Sequence, residues 1–405
     1  MNILEVTSAY PPTVNGTARC VSVWSHELAR RGHQVTIMTP RVGSAAEYEE
    51  DGEVSVIRAE RLLDRVPGAM SNPRQVASVQ LPDPFVVRRL RSEVARLKPD
   101  VIHVHGAVAF SVWAAGLCRQ VPSVLTMHDY EMCCPSGHLW SERSSVCDGP
   151  SSGGCVRCMR AESGTLRAIV RYVAFRTQVR VLLEGFHLTA VSYSVARSIA
   201  AVHGSFSRTV SIVRPCFTAQ AGEPSDLRDP NERPIVLFAG DLSPKKGLHV
   251  FLRACHEIEP CVQVIIAGIR TKGHHWTGDL GVQLIENAPH DTVLQLMRRA
   301  DVVVVPSLWE EPFGLVAQEA MGSGRPVVAS DVGGLAEQII HRENGMLVPR
   351  GDHVALVSAV KELLCDRELA QRLGSSARRT VAHRYSPERV MPEIEGVLHS
   401  AIRAT

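Results

Sequence analysis

The part of the chain that decides its fold is the segment 309–330, which reads WEEPFGLVAQEAMGSGRPVVAS. Before it, at 302–305, stands the apolar run VVVV, which is typical of a strand buried on both faces of a sheet. A proline and a glycine after Glu311 mark the start of a helix, so Glu311 is expected at the carboxyl edge of the strand and Glu319 inside the helix. Open parallel sheets bind ligands at that edge, where the N–H groups of a helix start attract phosphate. Two carboxylates beside such amides indicate a ligand with both phosphate and hydroxyl groups.

The two carboxylates have an alternative, structural interpretation. A single acidic residue near a helix N-terminus is common because it complements the helix dipole. The whole segment is more specific, since it resembles the Glu-x7-Glu signature of glycosyltransferase family 4, a group of retaining transferases. The resemblance implies that Glu311 contacts a donor sugar and Glu319 the ribose hydroxyls. Phe313, Gly314 and Leu315, at the helix start, are assigned to the same donor-binding site.

Strand-like and helix-like segments alternate along the chain, which predicts parallel sheets with right-handed crossovers. The resemblance implies an α/β protein of the GT-B fold, with two Rossmann-like domains facing a deep interdomain cleft and a C-terminal helix that crosses back to the first domain. We expect an acceptor-side domain at 1–217, a polar, proline-broken linker at 218–234, a nucleotide-sugar-binding domain at 235–386 and the final helix at 387–405.

Composition agrees with an enzyme of two domains. The chain has 405 residues, of which 45% are hydrophobic, and a net charge of +2. No apolar run reaches the roughly 18 to 20 residues that span a bilayer. The start, MNILEV, is a predicted strand without the basic flank and cleavage site of a signal peptide. We therefore expect a cytoplasmic protein without a nucleic-acid partner.

A lysine pair in the second domain is the predicted diphosphate contact. The segment GDLSPKKG at 240–247 follows a strand and precedes a helix, so its backbone amides and the Lys246 ammonium can meet a diphosphate. The family pattern places an Arg where this chain has Asp241. A carboxylate cannot bind phosphate, and we expect Arg270, with Lys272 as a second candidate, to supply the missing positive charge.

The first domain contributes two candidates. The loop AYPPTVNG at 9–16 resembles the family's loop before the first helix, which assigns Gly16 to donor binding. Asn15 replaces one glycine there, and asparagine tolerates a left-handed backbone. His128 follows the strand 123–127; an isolated histidine is more often structural, but the resemblance implies contact with the donor sugar. His103 and His105 lack such support and are interpreted as strand-end residues.

Two further segments resemble the family, DVGGLAE at 331–337 and NGMLVP at 344–349. Glycines in such segments are frequently turn residues, and we interpret Asn344-Gly345 in that way.

The cysteines are not explained by the resemblance. Five of the eleven lie in a Gly/Ser/Pro-rich insertion at about 131–162. Cys155 and Cys158 have the Cys-x-x-Cys spacing of a zinc knuckle, which Cys134 and Cys147 could complete as a structural thiolate site. Thiols or a redox pair are the alternatives. No metal is expected in catalysis, since GT-B enzymes generally need none.

The basic amphipathic segment 166–180 is interpreted as a surface helix packed on the sheet, and peripheral membrane contact is the less favoured alternative. The functional hypothesis is a retaining glycosyltransferase that moves a sugar from a nucleotide-diphosphate sugar to a hydroxyl acceptor. We favour a UDP-sugar such as UDP-GlcNAc as donor and a small-molecule, natural-product, glycan or lipid-linked acceptor. The alternatives are an epimerase or hydrolase of nucleotide sugars, or a catalytically weak partner or sensor protein that binds them.

Overall fold

A computed structural model describes residues 1–65, 81–141, 145–147, 152–203, 210–218, 233–258, 262–270 and 281–404. The chain forms two compact units. The first comprises Met1–Leu139, Asp148–Cys216 and Pro387–Thr405, and the second comprises Trp140–Cys147 and Phe217–Ser386. Within the described ranges, no helix combines the length and the apolar character that crossing a bilayer requires.

The first unit is built on a sheet of eight strands. Strands are numbered in chain order, so the numbering includes a short hairpin, β7 (Trp140–Ser141) and β8 (Ser145–Val146), that belongs to the second unit. The eight strands of the sheet are β1 (Asn2–Thr7), β2 (Gln34–Pro40), β3 (Tyr48–Asp51), β4 (Val54–Ala59), β5 (Val101–His105), β6 (Ser123–Met127), β9 (His187–Ala190) and β10 (Ser211–Ile212). The helices between them are α1 (Gly16–Arg30), α2 (Pro84–Leu97), α3 (Ala109–Ala114), α4 (Ser152–Ser163), α5 (Thr165–Gly185) and α6 (Tyr193–His203).

The strand order in this sheet is β10-β9-β6-β5-β1-β2-β4-β3. All pairs are parallel except β3 with β4. The central strands β1, β5 and β6 are buried almost throughout, which fits their apolar runs and places them under helices on both faces. The carboxyl ends of β1, β5 and β6 are therefore neighbours at one edge of the sheet.

The second unit repeats this architecture with six strands. Its elements are β11 (Ile235–Leu242), α7 (Leu248–Cys255), β12 (Gln263–Arg270), β13 (Gln283–Glu286), α8 (His290–Arg299), β14 (Val302–Val305), α9 (Leu315–Gly322), β15 (Val327–Ser330), α10 (Leu335–Gln338), β16 (Met346–Val348), α11 (His353–Cys365) and α12 (Arg367–Arg384). The order β13-β12-β11-β14-β15-β16 is parallel throughout. The prediction of parallel sheets in two α/β arrays is confirmed.

The C-terminal helix α13 (Pro387–Arg403) belongs to the first unit. It buries an apolar stripe that includes Val390, Ile394 and Leu398. On its polar side, Glu395 accepts two hydrogen bonds from the guanidinium of Arg31, at 2.7 and 3.0 Å. The last helix of the sequence thus completes the unit in which the chain begins.

Parts of two predicted segments lie outside the described residues. Of the linker 218–234, residues 219–232 are not described, and of the cysteine-containing insertion, 142–144 and 148–151 are not described. The predicted surface helix at 166–180 is found within α5, which buries Ala168, Phe175 and Val179. The same helix leaves four apolar side chains exposed, Leu166, Ile169, Val170 and Val173. The interpretation of this segment as a surface helix packed on the sheet, and not as a helix that contacts a membrane, stays a prediction.

Candidate active site

In the second unit, the loop that carries Lys246 packs against the loop that follows β14. The backbone N–H of Leu308 donates to the carbonyl of Lys245 at 2.8 Å. Gly247 has a φ of 74°, and a Cβ there would lie 1.8 Å from the carbonyl oxygen of Pro306. Only glycine permits this approach, so the glycine after the lysine pair holds the two loops together.

Glu311 lies at the junction of these loops and is 3% exposed. The ammonium of Lys246 and the hydroxyl of Ser307 each donate to its Oε1, both at 2.6 Å. Burial on its own would raise the pKa of Glu311, but the charge of Lys246 and the hydrogen bonds from Lys246 and Ser307 outweigh burial and lower it. Glu311 is therefore an oriented carboxylate at neutral pH.

The indole of Trp309 forms one wall beside the two lysines. The Nζ atoms of Lys245 and Lys246 lie 4.6 and 5.1 Å from its ring centroid. The Trp309 side chain is almost fully buried. Such an aromatic face attracts cations, so it helps to hold positive charge at this sheet edge.

Two glycines after β15 support the backbone of Glu311. The N–H of Gly334 donates to the Glu311 carbonyl at 2.7 Å. A Cβ on Gly333, whose φ is 49°, would lie 2.3 Å from that carbonyl oxygen. The Gln338 side-chain amide donates to the carbonyl of Phe313. These contacts explain the glycine pair in the segment 331–337, whose role the sequence left open.

Helix α9 begins at Leu315 after Gly314, which has a φ of 98° and provides no side-chain cap. Gly314 thus leaves the first N–H groups of α9 without an N-cap side chain, and such groups can bind an anion. Phe313 is buried, and its ring packs edge-on against Tyr385 at 5.6 Å between centroids. Phe313 thus contributes to positioning the helix start.

Glu319 is buried within α9, with 6% exposed. Its Oε1 lies 3.4 Å from Nε2 of His290, the first residue of α8. The structure therefore places Glu311, Glu319, Lys246 and the start of α9 in one unit, on the carboxyl side of β11 and β14.

Asp241 and Arg270 lie at the ends of neighbouring strands. Asp241 stands opposite Ile269 in the register, and Leu242 stands opposite Arg270. Asp241 is half-buried, whereas only the main chain of Arg270 is described, and Lys272 lies outside the described residues. The assignment of Arg270 to the diphosphate stays a prediction.

In the first unit, Gly16 is the first residue of α1 and Asn15 is its N-cap. The Asn15 side chain accepts a hydrogen bond from the N–H of Ala18 at 2.7 Å. The backbone of Asn15 is extended, with a φ of −158°. The left-handed backbone that asparagine tolerates is not used here; the Asn15 side chain caps the helix instead.

His128 lies just beyond β6 and belongs to a buried network. Its Nε2 lies 2.9 Å from Nδ1 of His105, whose Nε2 lies 2.6 Å from Oε2 of Glu5. His103 contacts the other carboxylate oxygen, with Nδ1 at 3.2 Å from Oε1. Because residues two apart on a strand face the same side, both β5 histidines point at Glu5 on β1. His105 is the last residue of β5, in line with its interpretation as a strand-end residue, and both histidines also belong to the network around Glu5.

The indole of Trp24 lies over this network. It stacks on His103 at 6.1 Å between centroids, with an interplanar angle of 13°, and on His128 at 5.6 Å with a tilt of 40°. Trp24 is 1% exposed, and Glu5, His103 and His105 are between 0 and 2% exposed. The network is therefore buried, apart from the half-buried His128.

The pKa values in the network follow from burial and charge. Burial would raise the pKa of Glu5, but the charges and hydrogen bonds of His103 and His105 lower it from 4.5 to about 2. Burial, reinforced by the charge of His103, lowers the pKa of His105 from 6.5 to about 4. Burial also lowers the pKa of His128 well below its usual value. At neutral pH, Glu5 is ionised while His105 and His128 are uncharged.

The structure gives limited information on the four cysteines proposed for zinc. Among the residues that the structure describes, no three of their Sγ atoms lie within 4.8 Å of one another. Cys155 and Cys158 lie on α4, and Cys155 packs in a small apolar cluster with Met159 and Ala168. Neither Cys134 nor Cys147 forms a disulfide. A structural zinc stays a proposal that rests on sequence spacing alone, and elemental analysis of the purified protein tests it.

Glu5, His103 and His105 form the one group of three metal-ligand atoms within 4.8 Å that the described residues contain. Their separations are those of hydrogen bonds, and the outer nitrogen of His103 is already used, since its Nε2 lies 2.7 Å from Oγ1 of Thr126. The geometry therefore indicates a hydrogen-bonded network.

Several of these residues were missed by the sequence interpretation. Ser307, Gln338 and Glu5 have no motif of their own. A carboxylate in the otherwise apolar strand ILEV was the available signal for Glu5, because an unpaired buried charge is costly. The alternation His-Val-His was the signal for two histidines on one face of β5.

Comparisons with known proteins agree with this architecture. A family model described as "Glycosyltransferase Family 4" matches residues 14–216, and one described as "Glycosyl transferases group 1" matches residues 221–380. The glycogen synthase of Mycobacterium tuberculosis is 29% identical over 404 residues, which covers 93% of this chain and 89% of that protein. The D-inositol 3-phosphate glycosyltransferase of Nocardia farcinica is 26% identical over 385 residues, covering 88% and 78%.

Solved structures share the fold over the whole chain. The sucrose-phosphate synthase from Thermosynechococcus elongatus has a TM-score of 0.74 at 23% identity and covers 100% of both chains. Anabaena HepE, solved in complex with UDP and glucose, has a TM-score of 0.70 at 20% identity, covering 99% of this chain and 100% of that one. One family model alone spans half of the sequence, and the two relatives named above cover 93% and 88% of this chain. The chain therefore belongs to glycosyltransferase family 4, has the GT-B fold and is a glycosyltransferase.

Proposed function

We propose that the protein transfers a sugar from a nucleotide-diphosphate sugar to a hydroxyl group, with retention at the anomeric carbon. The observation that carries this proposal is the buried pair of Lys246 and Glu311 beside the uncapped start of α9. An ammonium, an oriented carboxylate and helix N–H groups at one sheet edge match the three needs of such a donor. These are neutralisation of the diphosphate, acceptors for sugar hydroxyls, and a fixed orientation.

Lys246 and the α9 amides would stabilise the diphosphate as it leaves. Negative charge grows on the leaving oxygen during transfer, and donors already in place reduce the cost of that charge. Because these groups come from the protein, the proposal needs no catalytic metal. Lys246 is suited to this role because its side chain is 22% exposed, so its ammonium is accessible although it pairs with Glu311.

Glu311 and Glu319 would accept hydrogen bonds from the donor. Glu311, held by Lys246 and Ser307 through one oxygen, keeps lone pairs on the other oxygen for a sugar hydroxyl. Glu319, further along α9, would accept from the ribose. His128 and Gly16 of the first unit would contact the sugar and the donor, as the family resemblance implies.

The proposal also names a donor base, a sugar and a class of acceptor. We favour a UDP-sugar, such as UDP-GlcNAc, and a hydroxyl acceptor that is a small molecule, a natural product or a glycan. The solved HepE complex contains UDP and glucose, and that likeness supports a uridine donor as the first to test.

One observation favours a second candidate, a nucleotide-sugar-binding protein with weak transferase activity. Asp241 occupies the position where the family has Arg, and it is half-buried at the end of β11. A carboxylate near a diphosphate repels it unless a cation intervenes. Such a protein would bind the donor and release most of it unchanged.

Donor turnover separates the two candidates. The purified protein is incubated with UDP-, GDP-, ADP- and dTDP-sugars and a panel of hydroxyl acceptors, and the glycosylated product is identified by mass spectrometry, with its anomeric configuration read by NMR. We expect transfer with retention, and the rate of transfer should fall by about 10² to 10³-fold in Lys246→Ala. Glu310→Gln is the control, since Glu310 pairs with Arg350 instead of Lys246. Donor binding without any product would support the second candidate.

A further inference from the structure

The network that ends at His128 forms a continuous hydrogen-bonded chain through the first unit. Glu5 Oε2, His105 Nε2, His105 Nδ1 and His128 Nε2 follow one another, with donor-to-acceptor distances of 2.6 and 2.9 Å. Glu5 lies within β1, His105 ends the neighbouring strand β5, and His128 follows β6. Each link can be assigned a direction, because each group has a limited set of donors and acceptors.

The direction begins at Glu5. An ionised carboxylate only accepts hydrogen bonds, so Nε2 of His105 and Nδ1 of His103 must both carry protons. An uncharged His105 that is protonated at Nε2 has a lone pair at Nδ1. The 2.9 Å contact between His105 Nδ1 and His128 Nε2 then requires His128 to donate. His128 is therefore protonated at Nε2.

The remaining nitrogen of His128 is the end of the chain. In the uncharged ring, Nδ1 carries a lone pair and can only accept. None of the hydrogen bonds made among the described residues reaches this atom, and the His128 side chain is half-buried and not enclosed. Its ring is held in place by Trp24 at 5.6 Å. The result is an oriented acceptor at the carboxyl edge of the first sheet.

We propose that Glu5 and His105 are positioning residues that hold His128 in its Nε2–H tautomer, so that Nδ1 accepts a hydrogen bond from a ligand hydroxyl. Only one part of this inference rests on the proposed function, namely that the hydroxyl donating to His128 Nδ1 belongs to the donor sugar. It also gives specificity: a hydroxyl can donate to Nδ1, whereas a carboxylate at the same place would bring two acceptors together. The site should therefore select a neutral, hydroxyl-bearing sugar over a uronic acid.

His103 provides a matched control for His105. Both histidines lie on β5, both are at most 2% exposed and both donate to Glu5. Only His105 contacts His128. His103→Phe and His105→Phe thus each remove one hydrogen bond of Glu5 and keep a ring in the core, but only the second breaks the chain to His128.

The tautomer can be measured without donor or acceptor. Long-range 1H–15N NMR of histidine-labelled wild-type protein distinguishes Nε2–H from Nδ1–H, and variants of His105 and His128 assign the signals. We expect both residues in the Nε2–H form near neutral pH. His128 should keep that form in His103→Phe and show mixed tautomers in His105→Phe. Finding His128 protonated at Nδ1 in the wild type would overturn the proposal. This measurement on the wild type can be made even if either variant does not fold.

Kinetics then test the consequence. With a donor that the enzyme uses, kcat/KM should fall at least about 10-fold more in His105→Phe than in His103→Phe, while both bind UDP as the wild type does. Equal losses in both variants would mean a purely structural role and would refute positioning. A bound metal ion that Glu5→Ala releases would also refute it, since a metal needs the nitrogens that the proposal protonates. If no donor is found, the proposed function fails, but the NMR result stands on its own.

Discussion

At the scale of single residues, the proposed donor site depends on buried charges that are paired. Lys246 and Glu311 lie 2.6 Å apart, and the Glu311 side chain is 4% exposed. Removing one partner of such a pair leaves an uncompensated charge, whereas removing both leaves none. The same reasoning applies to Glu5, which two histidines compensate.

A double-mutant cycle should show this coupling. Lys246→Met is expected to lower the free energy of unfolding by about 3 kcal/mol, because Glu311 stays buried without its cation. Adding Glu311→Gln should recover most of that loss, as measured by urea unfolding. The half-exposed pair of Glu310 and Arg350 is the comparison, with changes below about 1 kcal/mol. Purely additive effects of the Lys246 and Glu311 substitutions would show that the two side chains do not interact in solution.

The unusual Asp241 leads to a second residue-scale prediction. If Arg270 supplies the positive charge that Asp241 cannot, Arg270→Ala should weaken nucleotide-sugar binding about as much as Lys246→Ala. Asp241→Ala should leave the affinity unchanged or increase it, because it removes a like charge. Calorimetric titration measures both. An unchanged affinity in Arg270→Ala together with a lost affinity in Asp241→Ala would mean that Asp241 organises the loop and that Arg270 is outside the site.

The sequence predicted Glu311, Glu319 and Lys246 because they stand in a motif, but it did not predict the partners that hold them. Ser307, four residues before Glu311, is not part of a motif, and His290 contacts Glu319 from another helix, where a contact between distant segments leaves no local pattern. His105 was undervalued for the same reason. Its partner Glu5 is a hundred residues away in the chain, and only the sheet register brings them together.

At the scale of elements, glycines decide how closely the site loops approach. Gly333 comes so near the Glu311 carbonyl that any side chain would displace the loop. Gly333→Ala is therefore expected to lower transfer activity by about 10-fold or more, because an approximately 1 Å shift of a contacting group has that order of effect. Gly396→Ala is the matched control. A Cβ at this α13 position has no heavy atom within 4 Å, and alanine should stabilise the helix by about 0.5 to 1 kcal/mol.

Activity and thermal unfolding of the two glycine variants give the test. Wild-type activity in Gly333→Ala would mean that the loop carrying Glu311 tolerates displacement, and the proposed role of its backbone would then be wrong.

Elements with a strong local pattern were predicted well. The apolar runs at 101–105, 123–127 and 302–305 are found as β5, β6 and β14 with the same bounds. Strand β3, with the sequence YEED, was missed because an exposed antiparallel edge strand needs no apolar alternation. The cysteine spacing indicated a zinc knuckle, yet Cys155 lies in a helix and packs among apolar side chains.

At the scale of the whole molecule, the sequence predicted two α/β arrays because each array buries its own apolar strands. The apolar stripe of the last helix did not show which unit the helix would join, because such a stripe fits any apolar surface. The expectation that the helix packs on the first domain came from the family resemblance. The structure assigns α13 to the first unit through an ion pair that joins Arg31 to Glu395.

This ion pair gives a pH-dependent prediction. Hydrogen bonding to Arg31 lowers the pKa of Glu395 from 4.5 to about 2, against a smaller opposing effect of burial and with help from His33. A lowered pKa contributes stability that is complete above the unfolded value and is lost as the pH falls through the folded one. Glu395→Gln should therefore cost about 1 kcal/mol at neutral pH, and the difference from wild type should shrink from about pH 4.5 downward. Urea unfolding across this range measures it, and a difference that does not change with pH would refute the ion pair.

The central claim is that the second unit binds a nucleotide sugar through the motif that contains Glu319, and calorimetric titration of UDP-, GDP-, ADP- and dTDP-sugars tests it most directly. We expect at least one donor, a UDP-sugar by preference, to bind with one site per chain. Loss of a ribose acceptor in Glu319→Ala should weaken binding by about 1.5 to 3 kcal/mol, or roughly 10 to 150-fold, while Glu310→Gln binds as the wild type does. Failure of every nucleotide sugar to bind, or equal binding by wild type and Glu319→Ala, would contradict the account.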